Sequence, residues 1–207
     1  MTVATRADPS ADLIVLAPGD GAHQDLQGAF VVSSDGSEAV LAGPRGELGR
    51  QEEIHVHADG PGLSTFELPW GRLAMIVGGD LDHPELFRLA AIAGAHLVAV
   101  TTLELAPWQL QLGLPERAAE NRLCVVAAAQ NADLVVDLPP DLSLWQPQRE
   151  RPFAGTINMP DVVHPSGKPV KIHPARSHVR EVSKGTNLVD GRPAHVLHPL
   201  TQAKTAS

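Results

Sequence analysis

Residues 70–100 read WGRLAMIVGGDLDHPELFRLAAIAGAHLVAV, and this stretch decides the fold. Arg72–Val77 is an apolar run of the kind that fills a strand buried on both faces. It stops at Gly78-Gly79-Asp80, residue types that favour a loop. Pro84 suits a first helical position, where no N–H is needed. Leu86, Leu89, Ala90 and Ala93 then recur at helical spacing, and Gly94 is placed to end the helix. Ala95–Thr101 (AHLVAVT) is again an apolar strand. Strand, helix, strand in this order implies a right-handed crossover and parallel pairing.

The same pattern extends outward. Downstream, Pro115–Asn121 reads as a short helix, Leu123–Ala129 (LCVVAAA) as a strand and Ala132–Leu138 (ADLVVDL) as another. Upstream, Ala11–Ala17 (ADLIVLA) is a strand stopped by Pro18-Gly19-Asp20-Gly21. Gly28–Ser34 and Glu38–Ala42 form two more around Asp35-Gly36, and Pro44-Arg45-Gly46 is a turn. Weaker strands are expected at Glu53–His57 and Ser64–Leu68. A largely parallel α/β sheet follows from this order. After Pro139 the chain is rich in Pro, Arg and His and reads as loops, with an edge strand at Val170–Ile172. Residues 1–10 and 201–207 are small and polar and are expected to fray, leaving 11–200 as one domain.

Composition narrows the function classes. The 207 residues suffice for one core, and 43% are hydrophobic. There is no Tyr, so the core is built mainly from Ala, Val, Leu and Ile. A formal charge of -8 argues against nucleic acid as a partner. The single Cys excludes an intrachain disulfide and fits a cytoplasmic setting. No apolar run reaches the roughly 18 to 20 residues of a membrane span. No apolar stretch follows a basic region near Met1, so no secretory signal is expected.

Trp70 to Asn131 resembles the central part of the carbon–nitrogen hydrolase (nitrilase) family. That family runs Gly-Arg-x-Gly, then Ile-Cys-Tyr-Asp, then Phe-Pro-Glu opening a helix. Here stand Gly71-Arg72-Leu73-Ala74, Val77-Gly78-Gly79-Asp80 and His83-Pro84-Glu85. The family's Gly-Ala-Asp, Trp and Arg-Ala-x-Glu-Asn correspond to Gly94-Ala95-His96, Trp108 and Arg117-Ala118-Ala119-Glu120-Asn121. Gln130-Asn131 closes the next strand, as in the family. Ala11–Leu16 and Gly185–Pro193 (GTNLVDGRP) are weaker echoes on either side. The resemblance implies a shortened α-β-β-α sandwich. The family's first strand and helix have no counterpart before Ala11, so either the chain is a remnant or a protein partner completes the sheet.

Family chemistry needs a Cys thiolate to attack an amide or nitrile carbon, a Glu as general base and a Lys to stabilise the developing anion. The resemblance places Gly78 at the Cys position, pinned by Asp80 and Pro84-Glu85. It places Gly19 at the Glu position and Glu53 at the Lys position. Glycine cannot form a covalent intermediate, and a Glu reverses the charge where an anion develops. The expectation is a catalytically inactive binding, regulatory or structural subunit with no cofactor and no metal. A pocket is expected around Asp80, His83, Glu85 and Trp108. The alternative is an active amidase-type hydrolase whose catalytic groups come from a partner or from other residues of this chain. The family also commonly pairs through helices after the nucleophile strand, which implies a homodimer. The sequence agrees: Leu86, Phe87, Leu89, Ala90, Ala91 and Ile92 leave the Pro84–Ala93 helix apolar on more than one face. One face can pack on the sheet, and the other is expected to meet its own copy, so that Phe87→Glu weakens the dimer, unless the tail after Pro139 folds back over it.

Other chemistry-bearing residues read more plainly. Cys124 lies in an apolar strand and is expected to be an inert core thiol. Asp80, Asp82 and His83 read as a turn-forming loop rather than a metal site. His55 and His57 would share one strand face, where Glu52 or Glu53 could join them at a metal, but they read as surface histidines rather than a metal site. His164, His173, His178, His195 and His198 lack ligand spacing. Arg149, Arg151, Arg176 and Arg180 read as solvated. Gly78-Gly79-Asp80 lacks the spacing and the Lys of a phosphate loop.

Overall fold

Two mixed sheets, each of six strands, stack face to face in a computed structural model that describes residues 1–20, 28–56, 62–137, 163–165 and 170–171. All of these belong to one compact unit, Met1–Ser177. The first sheet contains β1 (Thr2–Ala4), β2 (Leu13–Val15), β3 (Phe30–Ser34), β4 (Glu38–Gly43) and β5 (Gly46–Glu52). The second contains β6 (Thr65–Leu68), β7 (Gly71–Val77), β8 (Leu97–Thr102), β9 (Cys124–Ala129), β10 (Asp133–Val136) and β11 (Val163–Pro165). Strand β12 (Val170–Lys171) returns to the first sheet and pairs antiparallel with β1. This is the expected edge strand.

Each sheet has a parallel centre, β1-β2-β3 in one and β7-β8-β9 in the other. The outer pairs are antiparallel, so the sheets are mixed rather than largely parallel. Helix α1 (Pro84–Ile92) connects β7 to β8, and α2 (Leu114–Asn121) connects β8 to β9.

The apolar runs of β7, β8 and β9 lack a polar face because both faces are buried. Leu73, Met75, Val77, Leu97, Ala99 and Val126 point at the first sheet, against Leu13, Val15, Val32 and Leu41. The alternating set Ala74, Ile76, Val98, Val100, Val125 and Ala127 packs with Leu86, Phe87, Ala90, Leu114 and Ala118 of the helices. This is the strand period of two applied twice. Each such Val or Leu contributes about 1.5–3 kcal/mol through burial. Both helices lie on the second sheet. No described helix packs on the first sheet's other face, where Ala4, Ile14, Leu16, Ala29 and Val31 form a further buried cluster.

Four expectations change. The N-terminus does not simply fray: Thr2–Ala4 is a strand, because Val3 and Ala4 are buried beside β2. A strand therefore does precede Ala11. Gly46–Glu52 is a strand although GELGRQE carries no apolar pattern. It is the outer strand of its sheet and keeps one face in solvent. The strand expected over Glu53–His57 is a turn at Ile54–Val56, and His57 lies outside the described residues. Finally, Phe87 is not on a free face of α1: it is fully buried against the sheet. The exposed apolar positions are Leu89 (44%) and Ile92 (37%). Residues 185–193, the end 201–207 expected to fray, the four Arg of the tail and His173, His178, His195 and His198 also lie outside the described residues.

Candidate functional site

The parallel strands of both sheets end together. The Thr101 hydroxyl at the end of β8 donates to the Leu16 carbonyl past β2 at 3.1 Å. Gln130, after β9, donates through Nε2 to the Pro18 carbonyl at 3.0 Å. Open α/β sheets tend to place sites at such carboxyl ends.

Gly78 follows β7 at this end with φ +57, a left-handed conformation that favours glycine. A Cβ built there would stand 2.5 Å from Glu53 Oε1 and 3.0 Å from the Gly36 carbonyl oxygen. The next N–H, that of Gly79, donates to Glu53 Oε1 at 2.5 Å. A Cβ on Gly79 would come within 2.9 Å of His55 Cε1. The two glycines together form a seat for Glu53 and His55, whose side chains fill the space that side chains at 78 and 79 would need.

Asp80 fastens this arrangement. Its side chain is buried. It accepts the N–H of Ile54 at 2.7 Å, the N–H of His55 at 3.0 Å and the His55 ring at Nδ1 at 2.5 Å. The turn after β5 is thereby tied to the turn after β7, across the two sheets. The bond to Asp80 is the main reason the His55 imidazole holds its proton more tightly than usual. The Asp80, Glu53 and Asp82 charges add to it, while desolvation opposes. The His55 and His83 rings lie 4.9 Å apart between centroids, and His83 Nδ1 is 3.5 Å from Glu85. Asp82 accepts from Gln109 Nε2 at 2.7 Å, which holds the segment after β8 against the same loop.

The structure brings Glu53, Gly78, Asp80 and His83 to one place. Gly19 lies at the same carboxyl end of the sheets, but a Cβ on it would touch none of these four. A Cβ on Gly19 would meet only Gln130 Nε2, at 3.7 Å, among the described residues. Gly19 instead borders a cavity of about 410 Å³ with Asp20, Ser34 and Asp35. Among the described residues Glu85 reaches the cluster through His83. Trp108 is 56% exposed, and its ring lies over Gly113 of its own helical segment. Sequence reasoning takes His55 for a surface histidine and Gly79 for a loop residue, and gives neither a place at the site. A polar segment beside an outer strand carries no periodic signal, and the pairing of His55 with Asp80 spans 25 residues.

Among the described residues, two groups that nitrilase chemistry would require are not found at this site. Every lysine of the chain lies at position 168 or beyond, so none stands near Glu53 in sequence. Cys124 is buried in the core between the sheets, as expected. In the sheet register Cys124 aligns with Leu97 and Leu73, whereas Val77, before Gly78, aligns with Thr101 and Ala128. Four strand residues, about 13 Å, separate the thiol from the site's level. Among the described residues no group of three or more His, Cys, Asp or Glu is arranged to hold a metal ion.

No family model matches the chain. Over 88 residues it is 36% identical to a deaminated glutathione amidase of Yersinia enterocolitica, covering 40% of this chain and 30% of that protein. Over 100 residues it is 28% identical to a nitrilase of Pyrococcus abyssi, covering 44% of this chain and 38% of that protein. The matched stretch thus spans about a third of these curated relatives, 30% and 38% of their lengths. Among solved structures, an amidase from Nesterenkonia sp. superimposes with a TM-score of 0.52 at 19% identity, over 66% of this chain and 82% of that one. A variant of that amidase in complex with butyramide gives the same score. These likenesses show the nitrilase-superfamily fold.

Proposed function

We propose that this chain is a catalytically inactive nitrilase-like domain that serves as a binding, regulatory or structural subunit. One observation carries the reading: the Glu53 carboxylate sits 2.5 Å from where the Cβ of any nucleophile at position 78 would stand. The site has closed around glycine, and a carboxylate takes the Gly79 N–H. A backbone N–H is the kind of donor that stabilises an oxyanion in acyl transfer. Here it faces a negative charge instead. A solved variant of the Nesterenkonia amidase carries the acetamide moiety of fluoroacetamide at its active-site cysteine. Cys124, the one cysteine of this chain, is in the wrong place for that chemistry.

The purified chain is expected to show no turnover of simple amides or nitriles above a protein-free blank. Iodoacetamide-sensitive turnover that disappears in Cys124→Ala overturns the reading. Turnover that needs an added partner protein supports the alternative, an amidase-type hydrolase completed in trans. The same proposal includes a cytoplasmic location and self-association as a dimer. Among the described residues no helix is long and apolar enough to cross a membrane.

A further inference from the structure

We propose that His55 is a pH-operated latch: protonated, it bridges Asp80 and Glu53 and holds the Glu53 carboxylate over Gly78 and Gly79; neutral, it releases Glu53 and opens the floor of the site. This goes beyond the loss of catalysis and does not depend on it.

The geometry makes the two halves of the bridge unequal. Nδ1 meets the buried Asp80 carboxylate at 2.5 Å, while Nε2 lies 3.6 Å from Glu53 Oε1. An imidazolium donates from both nitrogens. When one proton leaves, the other stays on Nδ1, because buried Asp80 is an acceptor that needs it. Nε2 then turns a lone pair toward Glu53, acceptor against acceptor. The Asp80 half survives and the Glu53 half turns repulsive. Glu53 is then left with the Gly79 N–H, a bond that opens more often without the cation beside it. Its carboxylate loses the charge partner that held it over the glycines.

The groups facing His55 come from three elements. Glu53 precedes it in its own turn. Asp80 and Asp82 lie on the turn after β7. His83 opens α1, with its ring 4.9 Å away and Glu85 at 3.5 Å from its Nδ1. A charged His83 opposes protonation of His55, and Glu85 offsets it. The hydrogen bond to Asp80 comes first among the causes that raise His55's proton affinity. The sign follows. The latch is closed below the ordinary histidine value of about 6.5. It opens as pH rises through the higher value that His55 has in the folded chain.

Nuclear magnetic resonance of the isotope-labelled full chain between pH 5 and 9 tests this. The His55 ring is expected to titrate above the free-histidine midpoint, and the Gly79 amide proton to move with the same midpoint. Exchange of the Gly79 amide, taken relative to that of Ala99 in β8, is expected to rise several-fold across that midpoint. In Glu53→Gln the His55 midpoint falls and the coupled movement of Gly79 is lost. In His55→Asn, with far-UV circular dichroism unchanged, Gly79 no longer follows pH in this range. A Gly79 amide that stays flat while His55 titrates overturns the latch. So does a Gly79 response that persists in His55→Asn, or a His55 midpoint untouched by Glu53→Gln. If neither variant folds, the wild-type titration decides alone: a His55 midpoint at or below the free value is sufficient to reject it.

Discussion

At the scale of single residues, the site depends on two groups that contribute almost no side-chain surface, Gly78 and Asp80. Gly78 combines a positive φ with a Glu53 carboxylate where its Cβ would be. Gly78→Ala is therefore expected to lower unfolding free energy by about 1–3 kcal/mol in denaturant titration; no loss would mean that Glu53 swings away freely. Gly78→Cys alone is expected to leave amide turnover at background. The new thiol would crowd the Glu53 carboxylate, and no lysine stands near in sequence to hold the developing anion. Robust activity in that single variant would show the site assigned wrongly. Asp80 accepts three bonds at once inside the protein. Asp80→Ala orphans the N–H groups of Ile54 and His55, and a loss of about 2–4 kcal/mol is expected. Gly78 was legible because the Asp and the Pro-Glu that follow it fix its place in the chain. His55 was not, because its partner lies 25 residues away and no local pattern marks it.

At the scale of elements, β7, β8 and β9 were readable from their apolar runs, and α1 from its spacing. Which side of α1 faces inward was not. The six apolar residues fit more than one orientation, and packing against Ala74, Ile76 and Val98 selected Phe87 and Ala90 for burial. Phe87→Ala is expected to cost about 3–5 kcal/mol in a denaturant melt, as a large side chain removed from a packed core does. A cost below about 1 kcal/mol would place Phe87 outside the core. Strand β5 is the opposite case. Its pairing with β4 comes from the hairpin around Gly43 and Gly46, not from hydrophobicity.

At the scale of the whole molecule, the open question is assembly. Leu89 and Ile92 leave a narrow apolar edge on α1, and the proposed dimer uses it. Light scattering is expected to show a dimer that Leu89→Glu weakens, with the far-UV spectrum intact. A clean monomer at micromolar concentration would remove self-association from the proposal. Phe87→Glu does not serve as this test, since it would disrupt the core first.

The sequence by itself determined the order of strands and helices through the centre of the chain, the α/β class and the resemblance that named the fold. Those features follow from apolar runs, helical spacing and turn residues, all properties of neighbours along the chain. Tertiary structure alone decided that Thr2–Ala4 joins a sheet and that a polar segment can be its outer strand. It also decided that His55 folds beside Glu53 onto Gly78-Gly79 and that a side chain at Gly19 would not touch them. Each of these depends on contacts between residues far apart in sequence, where burial and hydrogen bonding are settled only once two sheets have closed on each other.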